Sequence, residues 1–282
     1  MKWTNNVCGN INTTLVRLLA CNFTFQQYLT SEFELRTMPF GQLSISNRGI
    51  PQHDPPYSDA TPVFDDVTVL TIQYRTSFKS ISHLIPDVIE VENEPLVTAT
   101  LLNYGAGPAG PFLEFIHTVE AKYLGKSYDF CLSLILDNEM AVLAGREPCG
   151  FPKRLGQLSL TTRSSNRATG YVERPVGQKL VEFSFEGKAK QSPTSNLDRP
   201  FLNLRVIPSP VTGAPASLKE LVPSNFEIRP VEVWEGVGKL TFPENCPQAE
   251  AINKIEIVRY ESATLGYGSA CILHPSEEVF QL

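Results

Sequence analysis

The sequence predicts an α+β domain built mostly of antiparallel β-strands, with a few short helices. Segments that alternate apolar and polar residues with a period of two recur along the chain, and β-branched residues are common in them. These segments mostly follow one another, without the regular strand–helix alternation that a parallel doubly wound sheet requires. Hydrophobic residues make up 42% of the 282 residues, enough for a substantial core. We therefore expect a sheet that is closed or folded over on itself.

The N-terminal part differs in composition from the rest. Residues 1–37 are predicted to be a poorly ordered extension, and residues 38–282 to form the domain, with Met38 as an alternative start. The apolar run 14–25 is shorter than the ~20 residues of a membrane span, and its alternative interpretation is a poor signal peptide. Residues 49–62 are rich in Pro and Asp and predict a loop or extended arm.

Each strand is predicted from alternating apolar and β-branched residues. The clearest is 67–75, with the sequence VTVLTIQYR. Apolar side chains recur at helical spacing over 78–85, so a short helix is predicted there, and Pro86 ends it. Two more short helices are predicted, at 138–144 and 248–252. The other predicted strands are 96–102, 112–123, 128–136, 151–161, 169–174, 179–186, 201–207, 226–234, 238–242, 254–262 and 269–274.

Composition and spacing exclude several classes of function. The formal net charge is -6 and no long Lys/Arg cluster occurs, which argues against a nucleic-acid partner. The six cysteines are widely spaced and form no CxxC pair, so neither a zinc site nor a disulfide framework is indicated. Isolated cysteines suit a reducing compartment, so we expect a cytoplasmic protein without a membrane partner. The histidines lack ligand-like spacing, and no metal or other cofactor is expected.

The segment Gly105–Gly110, GAGPAG, matches the G-x-G-x-x-G pattern of dinucleotide-binding loops. Such a loop needs a helix that starts at its last glycine, because the helix N-terminus binds the pyrophosphate. Here Pro108 and Pro111 bracket that glycine, and the residues that follow alternate like a strand. We therefore predict no nucleotide site but a tight loop between two strands, close to Glu114.

Lys153 lies in the stretch GREPCGFPKRLG, residues 145–156. A lysine attacks a carbonyl only as the neutral amine, and at the ordinary lysine pKa of ~10.4 fewer than about one amine in a thousand is neutral at pH 7. Burial disfavours the charged form, and Phe151 and Pro152 flank the lysine. Arg154 is adjacent, but neighbours on a strand point to opposite faces. Most of the lowering of the Lys153 pKa would therefore have to come from burial. From the pattern alone, the two cations are most simply a surface pair.

The same stretch resembles the signature of the acetoacetate decarboxylase superfamily. Gly145-Arg146-Glu147 followed by Gly150-Phe151-Pro152-Lys153 is similar to the G-R-E-x-x-G-F-P-K motif of that family. Acetoacetate decarboxylase is itself the usual example of an enzyme whose lysine is activated by a lowered pKa. Arg146 and Glu147 are interpreted as structural members of the motif. Cys149, inside the motif, is interpreted as a small apolar residue rather than as a reactive one.

Three other segments resemble the family in the same order along the chain. They are residues 38–41 with the Pro-rich arm, residues 74–76 (YRT), and residues 110–114, which end in Glu114. Glu114 precedes Lys153 by 39 residues, a spacing that the family also shows. The resemblance covers about residues 38–275 and implies a closed or cone-shaped β-barrel and a homo-oligomer.

The resemblance also implies a role for each of four residues. Lys153 would form a Schiff base with a substrate ketone, and the protonated imine would accept the electrons that a broken bond leaves behind. Glu114 would orient groups or move a proton; its alternative is an exposed strand glutamate. Arg75 would bind the substrate carboxylate; its alternative is a structural salt bridge. Phe151 would line the pocket. His117, three residues after Glu114, falls on the opposite strand face and is a poor partner for it.

The sequence departs from the decarboxylase pattern at two places. Residues 97–102 lack the second acidic residue that acetoacetate decarboxylases carry before the glycine loop, and Arg154 stands where a lysine often follows the reactive one. We therefore predict a Schiff-base-forming carbon–carbon lyase for a β-keto acid or polyketide-like carbonyl compound, most simply a decarboxylase. The alternatives are an aldolase-dehydratase or cyclase that uses the same imine, and a non-catalytic protein that binds small molecules.

Overall fold

The computed structural model describes residues 40–164, 166–193, 199–243, 255–274 and 276–282. Residues up to Ser46 form a unit of their own, of which residues 40–46 are described; they are exposed and have no regular secondary structure. The rest of the chain, Asn47–Leu282, is the second unit. The predicted extension 1–37 and the predicted helix 248–252 lie outside the described residues.

The second unit is built mostly of strands. Two α-helices, α1 (Phe78–Ile81) and α2 (Glu139–Cys149), and a 3-10 turn at Ser82–Leu84 are present within the described residues. No helix in these ranges is long and apolar enough to cross a membrane. The strands are β1 (Val63–Arg75), β2 (Leu96–Tyr104), β3 (Phe112–Tyr123), β4 (Lys126–Leu136), β5 (Lys153–Leu155), β6 (Gln157–Ser164), β7 (Arg167–Glu173), β8 (Lys179–Gln191), β9 (Phe201–Ile207), β10 (Leu218–Arg229), β11 (Glu232–Thr241), β12 (Arg259–His274) and β13 (Phe280–Gln281).

Seven strands pair into a closed ring. The order is β10-β9-β4-β3-β2-β1-β12, and β12 pairs with β10 to close it. Neighbours in the ring are antiparallel except for β4 and β9, which are parallel. The short strand β5 adds to β4 in parallel. This arrangement confirms the predicted α+β fold with a mostly antiparallel, closed sheet.

The remaining long strands cover part of the ring from outside. From β12 the sheet continues as β11-β8-β7-β6, and a shared core joins this extension to the ring. Phe115 of β3 meets Phe183 of β8 edge-on, with ring centroids 5.8 Å apart. Strand β3 is therefore buried on both faces, which explains its nearly continuous run of buried residues.

The structure corrects several predicted boundaries. Segment 226–234 is not one strand, because β10 ends at Arg229 and β11 starts at Glu232. Pro230 lies between them and has no backbone N–H to continue a ladder. Segment 151–161 is divided into β5 and β6, whereas the long strand β12 starts only at Arg259 and joins the end of segment 254–262 to segment 269–274.

Helix α2 starts where it was predicted but runs five residues further. The Asn138 side chain caps its first turn by accepting a hydrogen bond from the Ala141 N–H at 3.0 Å. The helix continues through Gly145 and Pro148, residues that disfavour helix interiors. It ends at Gly150, whose φ of 70° is the left-handed conformation that glycine adopts without strain. The turn at Gly150 leads the chain directly into the segment that carries Lys153.

Candidate active site

A cavity of about 660 Å³ lies among the strands of the ring. Its other walls are helix α2 and the irregular segment between Arg48 and Pro62. All seven ring strands contribute to the lining, in chain order with Phe64, Tyr104, Glu114, Leu134, Phe201, Phe226 and Leu273. Every strand of the ring therefore borders the cavity.

Lys153 and Glu114 meet in this cavity. Lys153 starts β5 and pairs with Leu134 of β4, while Glu114 of β3 pairs with Leu136 on the other side of β4. Their side chains converge, with Lys153 Nζ 2.9 Å from Glu114 Oε1. The side chains are 11% and 4% exposed, so Glu114 is not the exposed strand glutamate of the alternative interpretation. The structure thus brings together the two residues that the sequence predicted as catalytic.

Tyr104 holds the other oxygen of the Glu114 carboxylate. Its hydroxyl donates a hydrogen bond to Glu114 Oε2 at 2.9 Å, and its ring stacks on Phe112 with centroids 4.3 Å apart. Burial, reinforced by the nearby Glu114 carboxylate, raises the pKa of Tyr104 well above its ordinary value, so the hydroxyl remains a donor. Glu114 Oε2 therefore accepts a hydrogen bond from Tyr104, whereas Oε1 accepts none and has Lys153 Nζ beside it as an ion-pair partner.

Sequence reasoning missed Tyr104, although a signal for it exists. Glu114 pairs with Leu102 across the β2–β3 hairpin, so Tyr104, two residues along β2, is its diagonal neighbour on the same face. The register of that hairpin depends on the GAGPAG loop, which does join β2 to β3 as predicted. The contact between Tyr104 and Glu114 can be predicted only if that register is known, because spacing along the chain does not give the register.

The backbone and side chain of Lys153 are both confined. Arg146 Nη1 donates to the Lys153 carbonyl at 2.9 Å, a structural role of the kind predicted for this arginine. Helix α2 passes so close that a Cβ on Gly145 would lie 2.5 Å from Lys153 Cε, so a larger residue there would have to displace the lysine side chain. The ammonium lies 5.5 Å from the centroid of the Phe151 ring. Phe151 is buried and lines the cavity, which is the position expected of it.

Glu147, the other charged member of the motif, anchors the arm that covers the cavity. The Tyr57 hydroxyl donates to Glu147 Oε2, and Arg205 Nε donates to the Glu147 carbonyl at 2.6 Å. Burial and the hydrogen bond to Glu147 raise the pKa of Tyr57, so its hydroxyl stays protonated. Arg48, which also lines the cavity, pairs with Asp59 of the same arm at 3.2 Å.

Arg75 does not lie in the cavity, which corrects the expectation that it binds the substrate carboxylate. It pairs with Leu96 at the start of β2, whereas Tyr104 ends that strand about 26 Å further on at the ordinary rise per residue. Its Nε lies 3.4 Å from Glu261 Oε1, and its Nη1 donates to the Glu94 carbonyl at 3.0 Å. The observed geometry is that of the alternative interpretation, a structural salt bridge.

The histidines and cysteines provide no metal centre within the described ranges. No group of three or more His, Cys, Asp and Glu side chains there could hold an ion. His117 points away from Glu114, as predicted, and its Nε2 forms a 2.8 Å hydrogen bond with the Tyr74 hydroxyl. His274 lines the cavity with its Nε2 3.2 Å from Glu227 Oε2. Cys149 also lines the cavity, and burial raises the pKa of its thiol.

The sequence is similar to those of known decarboxylases. Residues 49–277 match the sequence model of the acetoacetate decarboxylase (ADC) family. The Decarboxylase DEC1 of Cochliobolus heterostrophus is 39% identical over 231 residues, which cover 79% of this chain and 90% of that protein. The acetoacetate decarboxylase of Clostridium acetobutylicum is 23% identical over 199 residues, which cover 70% and 81% of the two chains.

Solved structures share the fold. The protein of a structural study of acetoacetate decarboxylase superposes with a TM-score of 0.71 at 21% identity, over 83% of this chain and 94% of that one. The enduracididine biosynthesis enzyme MppR, complexed with pyruvate, superposes with a TM-score of 0.68 at 17% identity, over 83% and 96%. Because the family model matches residues 49–277 and a 39% identical relative is covered over 90% of its length, the chain belongs to the acetoacetate decarboxylase family.

Proposed function

We propose that the protein is a lyase that captures the ketone of a β-keto acid as an imine on Lys153 and releases carbon dioxide. The observation that carries this proposal is the buried Lys153–Glu114 pair, with 2.9 Å between Nζ and Oε1, inside a cavity large enough for a substrate. The name of the 39% identical relative, a decarboxylase, supports the same reaction class.

The reaction starts with a proton transfer. Glu114 Oε1 is within hydrogen-bond reach of Nζ, so it can accept a proton from the ammonium and leave a neutral amine. The amine attacks the ketone carbon, Glu114 returns the proton to the former ketone oxygen, and loss of water gives a protonated imine. When the bond between the α-carbon and the carboxylate breaks, its electron pair moves into the iminium and forms an enamine. A proton added at the α-carbon and hydrolysis of the imine then release the ketone and restore Lys153.

The apolar surroundings favour the bond-breaking step. Before it, the substrate carries an iminium cation and a carboxylate anion; after it, both the enamine and carbon dioxide are neutral. A low-dielectric cavity disfavours charged species relative to neutral ones, so it lowers the barrier to this loss of charge. Phe151, 5.5 Å from Nζ, and Phe112, which stacks on Tyr104, provide apolar surface in this cavity. Tyr104 acts as a positioning residue, because it holds Oε2 of the carboxylate whose other oxygen lies 2.9 Å from Nζ.

Borohydride trapping tests the imine. The protein is incubated with a β-keto acid and sodium borohydride, and its peptides are analysed by mass spectrometry. We expect a reduced adduct on the peptide that contains Lys153, and none in Lys153→Met treated in the same way. The absence of an adduct on the correctly folded wild type, checked by circular dichroism, would contradict the proposal.

The same imine would also allow aldol condensation followed by loss of water. One solved MppR structure contains a condensation product of pyruvate and imidazole 4-carboxaldehyde, but its identity to this chain is only 17%. The 39% identical relative favours decarboxylation. Measuring carbon dioxide release and aldehyde consumption with the same keto acid separates the two reactions. A protein that only binds its ligand would show neither product.

A further inference from the structure

The cavity is much larger than a short β-keto acid requires. An acid such as 3-oxobutanoate has seven heavy atoms and occupies at most about 200 Å³, if each heavy atom takes the ~30 Å³ of a water molecule. The cavity holds about 660 Å³, within the range of ~300–1,000 Å³ that is typical for larger organic ligands. Most of the cavity would stay unfilled around such a small substrate.

The unused part of the cavity is walled by a row of phenylalanines that starts at the lysine. The Phe151 ring centroid is 5.5 Å from Lys153 Nζ, and the Phe201 ring lies edge-on to Phe151 at 5.8 Å. The Phe226 ring stacks beyond Phe201 at 6.1 Å, and Leu273 pairs with Phe226 across the β10–β12 ladder. The outer two phenylalanines are only partly buried, so ring surface remains for a ligand to cover.

The charged groups of the cavity are not part of this row. Apart from Lys153 and Glu114, the described lining carries Arg48 and Asp59, which pair with each other on the arm, and His274, which contacts Glu227 beside the outer end of the row. A carboxylate or hydroxyl placed along the phenylalanines would lose water without gaining a partner from the rings, which is costly. The row therefore selects for hydrocarbon.

On the basis of the proposed imine chemistry, we propose that the substrate is a β-keto acid with a long hydrocarbon chain, which lies along the Phe151–Phe201–Phe226 row. The keto acid head is held at Lys153, and each methylene of the tail removes more ring surface from water. Burial of one methylene corresponds to about a fourfold gain in affinity or in kcat/KM when the contact persists in the transition state.

A chain-length series on the wild-type protein tests this proposal. The substrates are 3-oxobutanoate, 3-oxohexanoate, 3-oxooctanoate and 3-oxodecanoate, and the readouts are carbon dioxide release and borohydride trapping. We expect kcat/KM to rise at least about 100-fold from the shortest to the longest acid. If kcat/KM is flat or falls along the series while 3-oxobutanoate is trapped and decarboxylated, the inference is overturned and the imine function stands. No adduct with any member overturns both.

A matched pair of variants links the effect to the row. Phe226→Ala should lower the ratio of kcat/KM for 3-oxodecanoate to that for 3-oxobutanoate at least tenfold. Phe78→Ala is the control, because Phe78 is 45% exposed on α1 and does not line the cavity, and it should leave this ratio unchanged. An unchanged ratio in a folded Phe226→Ala protein would overturn the placement of the chain. Should Phe226→Ala not fold, Phe201→Leu, which keeps most of the volume, gives the same comparison with a smaller change.

Discussion

Strand β3 carries a buried tyrosine contact on each of its faces, and the two contacts differ in what lies next to them. On the cavity face the Tyr104 hydroxyl donates to Glu114 at 2.9 Å, and on the core face the Tyr74 hydroxyl bonds His117 at 2.8 Å. Glu114 also pairs with Lys153 and adjoins the cavity, whereas His117 is enclosed by the core. Burial of a titratable group alone therefore does not distinguish the proposed active site; the adjoining cavity and the opposite charge do.

The two faces also differ in charge. Burial lowers the pKa of His117 to about 3, so the ring is neutral at physiological pH and only its hydrogen bond with Tyr74 matters. Glu114 and Lys153 form an ion pair, and removal of either partner leaves a buried charge on the other. Substitutions on the cavity face should thus change turnover, and substitutions on the core face should change stability.

The largest expected effect comes from loss of the nucleophile. Lys153→Met should lower turnover on the order of 10⁴-fold or more, and Lys153→Arg equally, because a guanidinium keeps the charge but does not form the imine. Carbon dioxide release measures the loss, with circular dichroism as the check of folding. Lys190→Met, at an exposed lysine that pairs with Glu232, is the control and should keep full activity. A Lys153→Arg protein with more than about 1% of wild-type turnover would exclude imine catalysis by this residue.

The next effect is that of the carboxylate. Glu114→Gln keeps the size of the side chain and can still accept the Tyr104 hydrogen bond, but it cannot take a proton from Nζ. We expect kcat to fall about 10²- to 10⁴-fold with a smaller change in KM. Steady-state kinetics on one β-keto acid measure both constants. If kcat stayed within about threefold of wild type, Glu114 would have a structural role like that of His117.

On the core face, His117 should make stability depend on pH. An unfolded histidine has an ordinary pKa near 6.5, whereas the pKa of folded His117 is about 3, so between these values the unfolded state binds more protons. The free energy of unfolding contributed by this residue therefore falls as the pH drops through that window. From about pH 7 to about pH 5, the wild type should lose roughly 2 kcal/mol more than His117→Gln. Urea denaturation at the two pH values measures the difference, and equal losses would contradict a neutral buried histidine.

Removing the two tyrosine hydroxyls compares the faces directly. Tyr104→Phe should lower kcat about tenfold by releasing one oxygen of Glu114, with a small loss of stability. Tyr74→Phe should lower the free energy of unfolding by about 1–3 kcal/mol, because it removes the partner of His117 Nε2 in the core. Urea denaturation and steady-state kinetics on both variants test this crossed pattern. If both variants lost only stability, the proposed positioning role of Tyr104 would be wrong.

The smallest effect is expected at Arg75. Its partly exposed ion pair with Glu261 should contribute less than about 1 kcal/mol to stability. Arg75→Met should leave kcat/KM unchanged, because Arg75 lies outside the cavity. Kinetics and thermal unfolding of this variant give both values. A tenfold rise in KM would restore the substrate-binding role predicted from the sequence.

The sequence predicted those parts of the site that depend on local pattern. The period-2 rule placed Glu114 and His117 on opposite faces of β3, and the lysine motif identified Lys153 and Phe151 as cavity residues. Tyr104 was missed because its contact depends on the register between β2 and β3, which spacing along one strand does not contain.

The error at Arg75 and the boundaries of the strands have a related cause. A motif such as YRT identifies a residue, but it does not show which end of the sheet that residue occupies. Arg75 lies at the end away from the cavity. The closed ring itself depends on the pairing of β10 with β12, two strands far apart in sequence. Pairing between distant segments is decided by the whole sheet, so the sequence predicted strands and a closed sheet but not their order.

The close approach of Gly145 to Lys153 also bears on conformational entropy. A free lysine side chain samples many rotamers, and fixing it costs up to about 2 kcal/mol. Here a Cβ on Gly145 would lie 2.5 Å from Cε and 2.7 Å from Cδ, so helix α2 packs directly against the lysine stem and limits the rotamers open to it. Part of the ordering cost is therefore met during folding rather than when a ligand binds. The absence of a side chain at Gly145 thus lets the helix approach closely enough to restrict a flexible residue.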